Sequence, residues 1–153
     1  MSDDPKPVDD TEPLANIESL IEAAQNARLH SVAPFSHFLV GAAVKTASGK
    51  VYTGCNVESA SYGLTVCAER VAIWKALSEL SEGERQFTEL AVVADTETLT
   101  PPCGTCRQII WEFARGAKIV FANLNGKREE FHIGDLLPRA FDARFLKGTK
   151  TTD

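Results

Sequence analysis

The segment FTELAVVAD, residues 87–95, constrains the fold more than any other part of the chain. Its five central residues are apolar, and an acidic residue stands on each side of them. This pattern is typical of a strand that is covered on both faces of its sheet. Amphipathic helical patterns precede and follow the segment, so helices are available to cover both faces. The chain is therefore expected to fold into three layers, with a sheet between helices.

Helical and strand patterns alternate along the rest of the chain. Apolar residues recur at helical spacing in residues 14–30, 67–80 and 103–114, and the second of these helices, which contains Trp74, is expected to be largely buried. Strand patterns occupy the intervening segments, including a hairpin around the turn ASGK, where Gly49 supplies the permissive backbone. The sequence thus predicts an α/β fold, a three-layer α/β/α sandwich with a mixed sheet of roughly five strands.

Charge and composition indicate where the folded part begins and what it binds. Residues 1–13 carry five acidic side chains and one basic one, which leaves 16 acidic and 15 basic side chains for the rest. We expect residues 1–13 to be a disordered acidic leader, residues 14–146 a single domain and residues 147–153 a frayed tail. A nearly neutral body lacks the basic stripe of polynucleotide-binding proteins, so a small-molecule partner is favoured over nucleic acid. The sequence shows no signal peptide and no membrane-spanning run, which predicts a cytoplasmic protein.

Three of the four cysteines stand at expected helix starts. Cys67 begins one helix, and Cys103 and Cys106 form a CxxC pair at the head of another. Free N–H groups and the helix dipole stabilise thiolates at such positions, and Arg70 and Arg107 are near enough in sequence to offset their charge. A CxxC is also typical of redox pairs, and a structural zinc site would use the remaining cysteine, Cys55, as a fourth ligand.

Glu69 favours a catalytic metal over those alternatives. It follows Cys67 by two residues, and residues two apart on a helix diverge by about 200°. Both side chains can face one site only if Cys67 lies at the non-helical edge of the turn. Three thiolate ligands leave the fourth tetrahedral position of zinc to water, and a free carboxylate beside it can carry that water's proton.

Four segments taken together resemble one enzyme family. They are FSHFLVGAAV, GCNVESASYGLTVCAERVAI, PPCGTCRQIIWEF and DLLPRAF, and Cys67 precedes Cys103 by 36 residues. They are similar to the small homotetrameric cytidine deaminases that bind zinc through three cysteines, and the resemblance covers roughly residues 33–141. It implies hydrolytic deamination of cytidine and 2′-deoxycytidine to uridine and 2′-deoxyuridine with release of ammonia, a step of pyrimidine salvage.

The resemblance also implies roles for individual residues. One zinc ion per chain would be held by Cys67, Cys103 and Cys106, with Glu69 as the catalytic proton carrier and Arg70 supporting the thiolates. The implied substrate contacts are Phe35 at the pyrimidine ring, Asn56 and Glu58 at the ribose 3′-hydroxyl, backbone groups of Ala68 and Pro101 near the base, and Phe141, which would reach the base of a neighbouring subunit.

Two positions depart from the family pattern. Pro101 stands where relatives commonly carry a small polar residue, and Ser61 stands where some carry cysteine. A proline has no N–H to donate, so any contact from residue 101 must come through its carbonyl. We expect neither departure to abolish activity.

Three other functions remain as alternatives. A deaminase of a modified cytosine nucleoside such as blasticidin S is disfavoured by the intact NVE and FSHF segments. A polynucleotide-editing deaminase is disfavoured by the nearly neutral body. A zinc-stabilised interaction module without activity would have no need of Glu69.

Overall fold

A mixed five-stranded sheet forms the middle layer of the computed structural model, which describes residues 16–146. The predicted leader, residues 1–13, and the predicted tail, residues 147–153, lie outside the described residues. The strands are β1 (Val40–Thr46), β2 (Val51–Cys55), β3 (Phe87–Ala94), β4 (Lys118–Ala122) and β5 (Arg128–Phe131), and the α-helices are α1 (Ile17–Arg28), α2 (Ala68–Glu79), α3 (Gly104–Phe113) and α4 (Ile133–Leu136).

The strand order is β2-β1-β3-β4-β5, and the parallel pair is β3 with β4. The other neighbours are antiparallel, which confirms the predicted mixed sheet of five strands. The hairpin between β1 and β2 turns through Gly49 at φ 90°, as expected, and the hairpin between β4 and β5 turns through Gly126 at φ 84°. Both glycines take a left-handed backbone that other residues rarely adopt.

Helices cover both faces of the sheet, so the prediction of three layers is confirmed. Side chains of β3 alternate between the faces, with Leu90 and Val92 in one apolar cluster and Ala91 and Val93 in the other. The first cluster contains buried apolar residues of α2 and α3, and the second contains buried apolar residues of α1. Within the described part of the chain, none of the helices has the length and apolar character that a membrane crossing requires.

The expectation that α2 buries Trp74 is wrong. This side chain is 42% exposed, and the guanidinium of Arg70 lies over its ring, 5.6 Å from the centroid. The helix instead buries three alanines, Ala68, Ala72 and Ala76, together with Ile73 and Glu69.

Gly54 of β2 sets the close approach of α2 to the sheet. A Cβ atom at Gly54 would lie 2.5 Å from the backbone nitrogen of Ala72 and 2.6 Å from the carbonyl oxygen of Ala68. Both are backbone atoms of α2 and cannot rotate away. The absence of a side chain at position 54 therefore fixes where the first turn of α2 lies relative to the sheet.

We expect Gly54→Ala to push α2 off the sheet and to lower the free energy of unfolding by roughly 1–3 kcal/mol, as overpacking commonly does. Urea denaturation of the purified protein measures the change. Gly83→Ala is the control, because a Cβ atom there has no neighbour within 4 Å. Equal midpoints for the two variants would contradict the account of Gly54.

Candidate active site

Two helix N-termini meet at the candidate site. Cys67 is the N-cap of α2 and Cys103 the N-cap of α3, each with extended backbone angles, and Cys106 lies in the first turn of α3. The expectation that Cys67 lies at the non-helical edge of its turn is therefore confirmed. Because an N-cap side chain projects beyond the helix end, both N-cap thiols lie near the free N–H groups of their helices.

The three sulfur atoms are close enough to share one metal ion. All three Sγ atoms lie within 4.8 Å of one another, and those of Cys67 and Cys103 are 3.8 Å apart. Tetrahedral zinc with Zn–S bonds of about 2.3 Å would separate its sulfur ligands by about 3.8 Å. The fourth cysteine, Cys55, does not belong to this cluster of described residues. The donor set and its spacing fit zinc.

The thiols already share protons unequally. A hydrogen bond from the Cys106 thiol, with a further contribution from Arg70, lowers the pKa of Cys67 to about 5. The same bond to Cys67, together with burial, raises the pKa of Cys106. A thiolate is therefore favoured at Cys67, and Cys106 must lose its proton when a metal binds.

The guanidinium of Arg70 lies beside the sulfur of Cys67. Its Nη2 atom lies 3.8 Å from the Cys67 sulfur and donates a hydrogen bond to the carbonyl of Thr65 at 3.1 Å. Arg107 is placed differently. Its guanidinium donates to the carbonyls of Pro102 and Leu136 and not to a sulfur atom. Its role in offsetting thiolate charge stays a prediction.

Glu69 is buried beside the thiols. It is the second residue of α2, its side chain is 4% exposed, and it lines a cavity of about 280 Å³. Burial raises the pKa of its carboxyl group to about 7. A carboxyl group with a pKa near neutrality can both accept and donate a proton during a reaction.

The cavity brings together most of the predicted site residues. Cys67, Cys103 and Glu69 line it together with Ala68 and Pro101, whereas Cys106 is not part of the lining. Asn56 and Glu58, which follow β2, line it as well. The sequence predicted these residues to share one site.

Comparisons with known proteins agree with this site. Residues 14–123 match the model of the family described as "Cytidine and deoxycytidylate deaminase zinc-binding region". The chain belongs to this family.

Individual relatives extend the match over most of the chain. A cytidine deaminase from Sporosarcina psychrophila is 47% identical over 132 residues, which are 86% of this chain and 95% of the relative. One from Halalkalibacterium halodurans is 46% identical over 127 residues, 82% of this chain and 94% of the relative. The crystal structure of cytidine deaminase from Burkholderia pseudomallei superposes with a TM-score of 0.77 at 46% identity and covers 83% of this chain and all of that one.

Two residues that were predicted to contact the substrate, Phe35 and Phe141, do not line the cavity. Phe35 is 53% exposed and meets Tyr62 edge to face, with ring centroids 6.2 Å apart, and it does not line the cavity. Phe141 is 55% exposed and stacks on Phe145 at 5.6 Å, also outside the lining. The contact that Phe141 would make with another subunit stays a prediction.

Phe38 is the aromatic residue that lines the cavity, and sequence reasoning missed it. It stands three residues after Phe35 in the same segment, PFSHF, and two before the start of β1. The turn between the two rings passes through His37, whose φ of 56° is left-handed. The usable signal was the proximity of Phe38 to the strand, because residues next to a strand end lie at the edge of the sheet.

Glu58 stabilises this turn through hydrogen bonds. Its carboxylate accepts hydrogen bonds from the N–H of Phe35 at 2.9 Å, from the N–H of Ser36 at 3.2 Å and from the Ser36 hydroxyl. The Ser36 hydroxyl lowers the pKa of Glu58, with help from the two N–H groups. Glu58, which the resemblance assigns to the ribose, therefore holds the left-handed turn at His37 in place.

Asn56 holds the segment that carries Phe38. Its Oδ1 atom accepts from the N–H of Val40 at 2.9 Å, and its Nδ2 atom donates to the carbonyl of Phe38 at 2.7 Å. Asn56 is 8% exposed, so these bonds lie largely out of water. One hydrogen of the amide remains for a ligand after both bonds are counted.

We expect Asn56→Ala to lower the free energy of unfolding by roughly 2–4 kcal/mol, because it removes two hydrogen bonds and leaves both backbone partners unsatisfied. Urea denaturation measures the loss. Asn26→Ala, at an exposed position of α1, is the control and should stay within about 0.5 kcal/mol of the parent. An equally small change for Asn56→Ala would refute the role of Asn56 in the fold.

The metal stoichiometry distinguishes the ligands from the fourth cysteine. Cys106→Ser should lose bound zinc, since a serine hydroxyl is a poor zinc ligand, whereas Cys55→Ser should retain one zinc per chain. Elemental analysis of the purified proteins, after removal of free metal, gives the ratio. Loss of zinc from Cys55→Ser would favour a closed structural site with four cysteines.

Proposed function

We propose that this protein is a zinc-dependent cytidine deaminase, a hydrolase that converts cytidine and 2′-deoxycytidine into uridine and 2′-deoxyuridine with release of ammonia. One observation carries the proposal. Three thiols lie within 4.8 Å of one another, and two of them, Cys67 and Cys103, line a cavity together with a buried carboxyl group, Glu69, that is not part of the thiol cluster. A structural zinc site has no use for such a group, whereas hydrolysis requires one.

The assigned ligands are Cys67, Cys103 and Cys106, with one zinc ion per chain. When bound, zinc supplies Lewis-acid polarisation of a water molecule, which becomes a nucleophile at neutral pH. Arg70 donates to the sulfur of Cys67 and so limits the charge that the thiolates place on the centre.

Glu69 carries the protons of the reaction. It accepts a proton from the attacking water and delivers it to ring nitrogen N3 while a C–O bond forms at C4. It then carries the second proton of that water to the exocyclic nitrogen, the C4–N bond breaks, and ammonia leaves. Water and cytidine thereby give uridine and ammonia, with every proton passed through one carboxyl group.

The rest of the cavity supports recognition of a nucleoside. Phe38 and the apolar walls suit a flat pyrimidine, Asn56 keeps one amide hydrogen, and Glu58 offers a carboxylate to a ribose hydroxyl. We assign backbone groups of Ala68 and Pro101 to the base. Phe35 stays a predicted contact of the pyrimidine ring. Phe38 is the stronger candidate for that contact, because it lines the cavity and Phe35 does not.

The cavity also favours a nucleoside over a nucleotide. Two carboxyl groups, Glu58 and Glu69, line it, and within the described residues no lysine, arginine or histidine does. A 5′-phosphate would enter this lining without a counter-charge and would be repelled by the carboxylates. Free cytidine carries no such penalty.

The wider setting belongs to the same proposal. We propose that residues 14–146 form one domain that acts as a homotetramer, with Phe141 contributing to the site of a neighbouring subunit, and that the enzyme serves pyrimidine salvage in the cytoplasm. The exposed pair of Phe141 and Phe145 supports a contact with another chain.

We expect Glu69→Gln to keep its zinc and to lose between about 10²-fold and 10⁴-fold in kcat, because glutamine can neither accept nor deliver the proton. The decrease in cytidine absorbance measures turnover, and elemental analysis measures zinc. Glu22→Gln, at an exposed position of α1, is the matched control and should be fully active. Wild-type kcat in a zinc-loaded Glu69→Gln protein would overturn the assignment of Glu69.

A substrate panel tests the choice of nucleoside. Cytidine and 2′-deoxycytidine should be deaminated, whereas cytidine 5′-monophosphate should lose at least about 10²-fold in kcat/KM, because the lining offers its phosphate no cation. Blasticidin S and a cytosine-containing oligonucleotide complete the panel. Preference for either of these would support the corresponding alternative, and no turnover of any compound by zinc-loaded protein would support a non-catalytic zinc module.

A further inference from the structure

Arg107 joins the loop that carries a metal ligand to the C-terminal end of the fold. It follows Cys106 in the first turn of α3. Its Nε atom donates to the carbonyl of Pro102 at 2.9 Å, and its Nη1 atom donates to the carbonyl of Leu136 at 2.8 Å. One planar guanidinium thus bridges two segments that are far apart in sequence.

The bond to Pro102 controls the orientation of Cys103. Proline fixes its own φ, so the ψ torsion of Pro102 is the remaining soft torsion of that residue. Rotation about ψ turns the whole peptide plane between Pro102 and Cys103, including the carbonyl oxygen that Arg107 binds. The Pro102 side chain is fully buried, which holds the other end of the residue. Arg107 therefore fixes the peptide plane from which Cys103 projects.

The bond to Leu136 anchors the guanidinium itself. Leu136 is the last residue of α4, and carbonyls at a helix end lack helical partners. Leu136 packs against the main apolar cluster, and Ile133 at the start of α4 is 1% exposed. The carbonyl that receives Nη1 is therefore held by the core. Because its Nη1 atom is anchored to Leu136, Arg107 acts on Pro102 as a brace and does not move with the loop that precedes Cys103.

Two other side chains, one on α3 and one just beyond its end, bond to residues that follow α4 but not to the loop before Cys103. Gln108 donates to the carbonyl of Phe141 at 2.8 Å, and Arg115 donates to the carboxylate of Asp142 at 2.8 Å. Arg115 has the same chemistry as Arg107 and lies two residues beyond the end of α3, and its hydrogen bonds go to Trp111 and Asp142. It therefore provides a matched control for attachment of the C-terminal residues without contact to the ligand loop.

We infer that Arg107 is a positioning residue of the metal centre, which sets the Cys103 thiol for zinc by bracing the Pro102–Cys103 peptide against the end of α4. The inference rests on the proposed function for the assignment of Cys103 as a ligand. It predicts that loss of the guanidinium speeds the release of zinc, while the loss of the comparable bonds of Arg115 does not.

Zinc release tests the inference directly. Wild type, Arg107→Gln, Arg107→Lys and Arg115→Gln are loaded with zinc, and transfer of the metal to a chelating dye is followed over time. Arg107→Gln should release zinc about 10-fold to 100-fold faster than wild type, the range typical of groups that orient metal ligands. Arg107→Lys should fall between the two, since an ammonium group lacks the planar fork that serves both carbonyls. Arg115→Gln should release zinc at the wild-type rate even if it melts at a lower temperature.

Two results would overturn the inference. One is wild-type release from Arg107→Gln, and the other is equal acceleration in Arg107→Gln and Arg115→Gln, which would reveal general destabilisation only. If Arg107→Gln fails to fold, the comparison of Arg107→Lys with Arg115→Gln decides in the same way. Failure of the proposed function gives a different signature, namely a wild-type protein that holds zinc in this assay and deaminates no cytidine. A wild-type protein that holds no zinc would refute both.

Discussion

The structure depends on the convergence of two helix N-termini at one end of the sheet. Cys67 and Cys103 are the N-caps of α2 and α3, and with Cys106 they place three sulfur atoms within 4.8 Å. Three thiolates at such distances repel one another strongly in a medium of low dielectric constant. Helix dipoles and the Arg70 guanidinium reduce that cost, and a divalent cation reverses it. Folding of this end of the molecule is thus coupled to metal binding.

The backbone around the centre is shaped to permit this convergence. Gly54 lets the first turn of α2 lie against β2, and the prolines before Cys103 restrict the approach to α3. Arg107 then ties the second proline to the end of α4. On the substrate side of the site, Asn56 and Glu58 hold the segment that carries Phe38 through hydrogen bonds that need no substrate. Substitution of either residue is therefore expected to change stability as well as affinity, and the two effects need separate measurements.

Much of this could be predicted from the sequence because the signals are local. The apolar run of β3 predicted helices on both faces, and the spacing of Cys67 and Glu69 predicted the N-cap geometry of the cysteine. The features that escaped prediction depend on the path of the chain in space. Phe35 and Phe38 both stand in one short segment, and only the left-handed turn at His37 determines which ring reaches the cavity.

Arg107 and Trp74 escaped prediction for a related reason. An arginine next to a cysteine suggests charge compensation, but its bonds go to carbonyls, one of them 29 residues away. Trp74 has helical core spacing, yet the face of α2 that packs on the sheet is formed by three alanines and Ile73, and the indole lies outside it. Contacts between distant parts of the chain determine the partners of Arg107 and the exposure of Trp74. The local sequence around each residue does not contain that information.

The central claim is that three thiolates hold zinc with one position left open for water. X-ray absorption at the zinc edge of the purified protein tests it directly, since sulfur and oxygen scatter differently at different distances. We expect three sulfur ligands at about 2.3 Å and one oxygen ligand at about 2.0 Å. A shell of four sulfur ligands would contradict the claim, because a closed site has no position for the water that deamination consumes.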